Sequence, residues 1–410
     1  MAEIKPFKIA VPDGEIDKLK TKLSLATFPQ DVDMSESWSY GTPLKDIKRL
    51  AQYWQDGFDW RAAESKLNSQ LTQFTTTISV GGFDPLEIHF VHHKSPRPDS
   101  IPLLFAHGWP GSFYEAVKLL PLLTHPSDPS QPSFHVVVPS LPNFGFSGKV
   151  TKPGFGPSQH AETCHKLMLQ LGYDRYATQG GDWGFIITRM MGIQYPSHVI
   201  ASHLNFVRVT KPPELSQTPG QYLKHAVLPY TASEREGLRR TAWFREKGFG
   251  YNLEQSTRPH TLGFALRDSP VALLAWVYEK LHDWTDSYPW ADDEVLTWIS
   301  IYAFSTAGAD ASVRIYYEAR DQEAALAPGY AYFGKVPLGL SYFPRDLVVP
   351  PSTWGRTLGP VVFEKRHEDG GHFAAHERPE ELAGDLRTMF GKGGGAEAAV
   401  KKLKGGQSRI

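Results

Sequence analysis

The stretch GGDWG, residues 180–184, lies between YATQ, which reads as a short buried strand, and FIITRMMGIQYP, which reads as a helix. A central residue with glycine two positions before and two after it, placed between a strand and a helix, marks a turn too crowded for side chains at the flanks. Such a turn exposes its central side chain. Gly180 and Gly184 hold the flanks and Asp182 the centre. Taken alone, the pattern also fits an ordinary aspartate turn; its surroundings constrain the fold further. SIPLLFAHGWPG and FHVVVPSLPNFGFSG each run from a short apolar strand into a glycine-proline loop, and HAETCHKLMLQLG has helical spacing. The alternation predicts an α/β fold with a mostly parallel sheet covered by helices on both faces.

The alternation stops near residue 206. Residues 206–335 are mostly helical and aromatic, with SPVALLAWVYEKLHDW and DDEVLTWISIYAF the clearest amphipathic segments. Strand signals return in GLSYFPRDLVV and GPVVFEKRHEDGGHF. We therefore expect a core of residues 96–205 and 336–392 interrupted by a helical lid over 206–335. An N-terminal segment, residues 1–95, precedes the core, and a glycine-rich basic stretch, 393–410, reads as a flexible tail.

Charge excludes one class of partner. Lys and Arg number 43 against 44 Asp and Glu, so nucleic acid is not expected. The single cysteine, Cys164, excludes an intrachain disulfide and points to a reducing compartment; its helical apolar neighbours Leu167, Met168 and Leu171 mark it as a small buried hydrophobe. The N-terminus has no signal-peptide run, and nowhere do 18 uninterrupted apolar residues occur, so a soluble cytoplasmic protein without a membrane anchor is expected. Ser408, Arg409 and Ile410 form a variant of a peroxisomal address, which keeps that compartment as the alternative.

Two further motifs carry chemistry. HGWPG, residues 107–111, ends a strand where such a loop turns an amide toward a reaction centre, so the amides of Trp109 and Trp183 are the candidate oxyanion hole. In HEDGGHFAAHERP, His372 follows paired glycines just past the last strand and fits a general base better than His367 or His376. His372 and His376 also have a metal-binding spacing, but no third ligand falls nearby, and neither metal nor cofactor is expected. A histidine base needs an orienting carboxylate. Asp346 in SYFPRDLVV supplies it in the order nucleophile, acid, histidine, with Asp369 and Asp310 as alternatives.

HGWPGSFYE, GGDWG, FPRD and GGHFAAHERPEEL, together with FKIAVPDGEIDKLKTKLSLATFP, resemble the microsomal-type epoxide hydrolases of the α/β-hydrolase superfamily, in a soluble fungal-like form. The likeness runs from about residue 5 to 392. It implies Asp182 as nucleophile, His372 as base, Asp346 as orienting acid and the HGWP loop as part of the oxyanion hole. It also implies two lid tyrosines on the oxirane oxygen, which fall on Tyr251 and Tyr316, with Tyr317 adjacent to the second. The implied reaction is hydrolysis of a small epoxide to a vicinal diol, in detoxification or biosynthesis. The implied N-terminal segment wraps over lid and core and is a candidate homodimer contact. Phe244, Phe249 and Trp276 are the lid residues expected to shape the substrate pocket.

The residues support that chemistry on their own terms. An aspartate, with a reference pKa of about 3.9, has no proton to lose at pH 7, so a histidine beside it must serve a later step. A carboxylate that attacks a saturated carbon becomes an alkyl ester, and the histidine then activates the water that hydrolyses it. Haloalkane dehalogenation, with the Trp183 indole on the halide, and ester or lactone hydrolysis are the alternatives on this scaffold. A ligand-binding protein on a retired hydrolase is the alternative from another class.

Overall fold

Nine strands make one sheet in the order β1-β2-β3-β5-β4-β6-β7-β8-β9. They are β1 (Lys5–Phe7), β2 (Gln73–Ile78), β3 (Leu86–His93), β4 (Ile101–Ala106), β5 (Phe134–Pro139), β6 (Tyr176–Gly180), β7 (Val199–Leu204), β8 (Leu338–Tyr342) and β9 (Val361–Arg366). The computed structural model describes residues 2–407, so the Ser408, Arg409 and Ile410 signal lies outside the described residues. From β5 to β9 all neighbours are parallel; β1, β2 and β3 add antiparallel at the other edge. Every residue of β4 and β7 is buried, as apolar strands covered on both faces must be. The helices Pro157–Gln170 and Trp183–Gln194 pack together as one layer, and Leu119–Thr124 and Pro379–Phe390 as another.

The chain thus has the α/β-hydrolase architecture, with one shift of boundary. The strands of residues 73–93 are read from sequence as part of an N-terminal segment ending at residue 95. They belong instead to the central sheet, β3 pairing with β5 through His93 and Val136. What remains of that segment is mostly helix, and it lies on the lid. Trp54 Nε1 donates to Ser300 Oγ at 3.1 Å, and Thr42 donates to the Ala275 carbonyl at 3.0 Å.

The tail also departs from expectation. Residues Glu397–Gln407 form a helix, and Ala396, Val400 and Leu403 are buried. Their spacing lays one apolar face against the core, a pattern overshadowed in the sequence by the glycines around it. Among the described residues no helix is long and apolar enough to cross a membrane.

The lid is helical from Pro219 to Tyr330 and grips the core through main-chain carbonyls. Trp298 Nε1 donates to the Pro110 carbonyl and Tyr302 Oη to the Gly111 carbonyl, both at 2.6 Å. Arg240 donates to the carbonyls of Asp346, Asp283 and Arg345, and Arg189, on the helix after β6, to those of Gly329, Ala331 and Leu358.

Candidate active site

The functional side chains stand where parallel strands end, at the carboxyl edge of the sheet. Asp182 follows β6 with φ +46° and ψ −123°, a left-handed strained conformation for a side-chain-bearing residue. The fold tolerates it because the neighbours have no Cβ. One at Gly184 would run into the Ala106 carbonyl on β4, and one at Gly108 into the Asp182 carboxylate itself. The backbone is strained so that the carboxylate stands clear of the turn.

That carboxylate is held from two sides. The Trp109 amide, in the loop after β4, donates to Asp182 Oδ1 at 2.8 Å. His372 Nε2, in the loop after β9, lies 3.3 Å from Asp182 Oδ2. The other ring nitrogen, Nδ1, lies 2.6 Å from Asp346 Oδ1, in the loop after β8. Asp346 is fixed in turn by the Leu347 amide at 2.7 Å. The His372 ring is sealed by Phe206 and Trp284, whose edges meet it at 5.3 and 5.1 Å. Burial opposes the charged imidazolium, but the carboxylates of Asp346 and Asp182 outweigh it and raise the His372 pKa to about 10. The two carboxylates therefore favour the imidazolium form of His372 in the resting site.

The sequence alternatives are engaged elsewhere. His367 lies 2.6 Å from Asp385 and stacks on Phe343; His376 lies 2.9 Å from Glu294. Asp369 pairs with Arg378, and Asp310 with Arg314. Cys164 is buried, which pushes its thiol up to about 12. Among the described residues no group of three His, Cys, Asp or Glu side chains is arranged to hold a metal ion. For the oxyanion pair the structure brings in the Trp109 amide, while the Trp183 amide makes no hydrogen bond to the carboxylate.

Above Asp182 lies a cavity of about 270 Å³ lined by Phe185, Phe206, Phe244, Phe249, Tyr251 and Tyr316 among others. A larger groove of about 810 Å³, between the N-terminal segment and the lid, includes none of the site residues. Tyr251 and Tyr316 come from separate lid helices, Gly250–Thr257 and Arg314–Asp321, and their rings meet at 5.8 Å. Burial, and the nearby Asp182 charge, push both hydroxyls well above the usual phenol range, so both stay protonated at neutral pH. The Tyr316 hydroxyl and the Trp183 indole N–H are buried close to each other and to the Tyr251 hydroxyl, but neither makes a well-formed hydrogen bond. Tyr317 is 44% exposed and points away from the cavity. Trp276 is not part of the wall either. Its indole donates to Gln255 at 2.9 Å, so it braces the lid rather than the pocket.

Sequence reasoning missed two groups. Glu115 is buried, and desolvation lifts its carboxyl to about 8, so it is protonated at pH 7. With Gly108, Asp182, Asn205 and His372 it encloses a void of about 10 Å³, about the volume that admits one water. Its signal was a carboxylate inside the otherwise apolar run HGWPGSFYEAV. Arg208, on the loop after β7, also lines the 270 Å³ cavity above Asp182.

The sequence carries the same assignment outside the site. Residues 4–116 match the family model for the epoxide hydrolase N terminus, and residues 101–224 match that for the alpha/beta hydrolase fold. Epoxide hydrolase 1 of Sus scrofa is 35% identical over 411 residues, covering 95% of this chain and 88% of the relative. The solved epoxide hydrolase of Aspergillus niger superposes with a TM-score of 0.82 at 34% identity, covering 98% of this chain and 97% of the other. The juvenile hormone epoxide hydrolase from the silkworm Bombyx mori does so with a TM-score of 0.86 at 28% identity, covering 98% and 96%. With nearly all of its length aligned and the elbow, loop and lid in the same chain, the protein belongs to the epoxide hydrolase family of α/β hydrolases.

Proposed function

We propose that the chain hydrolyses epoxides to vicinal diols in two half-reactions, with Asp182 as nucleophile. In the first, a carboxylate oxygen of Asp182 bonds to an oxirane carbon and the carbon-oxygen bond of the ring breaks. The leaving oxygen takes a proton from Tyr251 or Tyr316, so no free alkoxide forms in an aromatic pocket. In the second, water attacks the Asp182 ester carbonyl while His372 takes its proton. The Trp109 amide, already 2.8 Å from Asp182 Oδ1, receives the charge that develops on that oxygen. Collapse releases the diol and restores the carboxylate.

Alkylation itself prepares the base. It converts Asp182 to a neutral ester and so removes one of the two charges that keep His372 protonated, which lowers the imidazole pKa; the proton that His372 then sheds restores the tyrosine hydroxyl left deprotonated by ring opening, and the neutral imidazole is free to take the proton of the attacking water. Glu115, protonated and facing the one-water void, can orient the attacking water toward the carbonyl.

One observation carries the reading: a carboxylate held by an amide and a histidine lies under a buried tyrosine hydroxyl that makes no well-formed hydrogen bond in the protein. The test is a single turnover of an aryl epoxide by excess enzyme in oxygen-18 water. The label is expected in Asp182 with unlabelled diol; labelled diol would mean direct attack by water. Dehalogenation is favoured only by the Trp183 indole, which makes no well-formed hydrogen bond, and bromide release from a bromoalkane faster than diol formation would support it.

A further inference from the structure

The cavity wall carries a cation that the two half-reactions do not use. Arg208 is half-buried among Phe206, Tyr251, Tyr316 and Tyr330. Its one hydrogen bond among the described residues runs from Nη1 to Tyr330 Oη at 3.2 Å, and its guanidinium lies 5.7 Å from that ring. No described carboxylate comes within 4.0 Å of it. The other buried arginines differ: Arg189 and Arg240 each satisfy three main-chain carbonyls. None of the Arg208 nitrogens is sealed from solvent without a partner, and the residue is part of the cavity wall.

The charge balance of the wall points the same way. The anion lining the cavity, Asp182, pairs with His372 from below and attracts Arg208 only at longer range. Two guanidiniums remain, Arg208 inside and the exposed Arg245 at the mouth, neither with a carboxylate partner among the described residues. Desolvating a guanidinium without a counter-ion is unfavourable. Once the ester forms, the Asp182 charge is gone and the excess grows.

We infer that Arg208 reads an anionic carboxylate on the substrate, so that the preferred substrates are epoxy carboxylic acids. The oxirane lies between Asp182 and the two tyrosines, and the carboxylate lies toward the mouth between Arg208 and Arg245. The inference rests on the epoxide hydrolase reading above and adds the substrate class. A guanidinium suits the task, because its planar fork matches a carboxylate and it cannot lose its proton. It also offsets the repulsion between an incoming anion and Asp182.

The test compares ω-epoxyhexanoate with its neutral primary amide, and uses styrene oxide as an uncharged control. The wild type is expected to favour the anion in kcat/KM by about tenfold to a hundredfold, as for a charge-assisted contact. High salt should reduce that ratio. Arg208→Gln should reduce the ratio by about tenfold or more, mainly through KM, and Arg208→Lys should restore part of it. Tyr330→Phe removes the hydrogen bond but keeps the cation, and should keep the ratio. If Arg208→Gln lowers the acid and the amide equally, or if the wild type turns over styrene oxide but shows no preference for the anion, Arg208 is only a brace. Failure to turn over all three compounds would sink the parent reading as well.

Discussion

At the floor of the cavity Asp182 accepts from Trp109 at 2.8 Å and lies 3.3 Å from His372, which reaches Asp346 at 2.6 Å. At the roof the Tyr316 hydroxyl is just as buried and makes no well-formed hydrogen bond. The floor is complete without substrate. The roof holds a donor that a bound oxygen would satisfy, at a standing cost to the empty protein. Stability and chemistry should therefore separate when the two regions are perturbed.

The floor gives the largest effects. Asp182→Asn should lower turnover by about 10⁴-fold or more and leave no ester on the peptide that contains it. His372→Gln should let the ester form and then accumulate, visible by mass as enzyme plus substrate. Normal turnover in either variant would break the division of labour.

At the roof, Tyr316→Phe and Tyr251→Phe should each slow ring opening by about a hundredfold. The rate of ester hydrolysis, followed separately by rapid quench, should not change. Because the Tyr316 hydroxyl makes no well-formed hydrogen bond, Tyr316→Phe should cost the fold less than about 1 kcal/mol in denaturant titration. Equal slowing of both steps would erase the contrast.

A smaller effect is set by pH. The folded pKa of His372, about 10, lies above its ordinary 6.5, so its contribution to stability is complete below about pH 6.5 and is lost as pH rises through about 10. Wild-type stability should thus fall more steeply than that of His372→Gln between those limits. The smallest effect is Tyr317→Phe, expected to stay within about twofold of wild type because that ring lies outside the cavity.

The two regions also differ in how much of them could be read from the chain. The floor is written locally. Gly180 and Gly184 flank Asp182 because the turn needs them, HGWPG follows a strand, and paired glycines precede His372, so each piece announces a loop at a strand end. No such mark surrounds a lid tyrosine. Tyr251 and Tyr316 are two of 17, and only the family resemblance singled them out. Trp276, a candidate pocket residue, lies on an amphipathic helix, and periodicity cannot tell a brace from a wall. Arg208 sits in a loop, where arginines usually face solvent, and nothing in its neighbourhood marks it as a wall residue. QFTTTISVGGFDPLEIHFVHH, residues 73–93, has the pattern of two strands joined at Gly81 and Gly82, but pairing between β3 and β5 is a long-range choice that local pattern does not encode.

The lid's grip on the HGWPG loop has a consequence for motion. Trp298 and Tyr302 hold the Pro110 and Gly111 carbonyls, beside the residue whose amide serves the reaction centre. A lid swinging open would break both contacts and pull on that loop, so the lid acts as a keystone for the reaction centre. The exposed members of the cavity wall, Thr210 and Arg245, mark the side on which the cavity meets solvent.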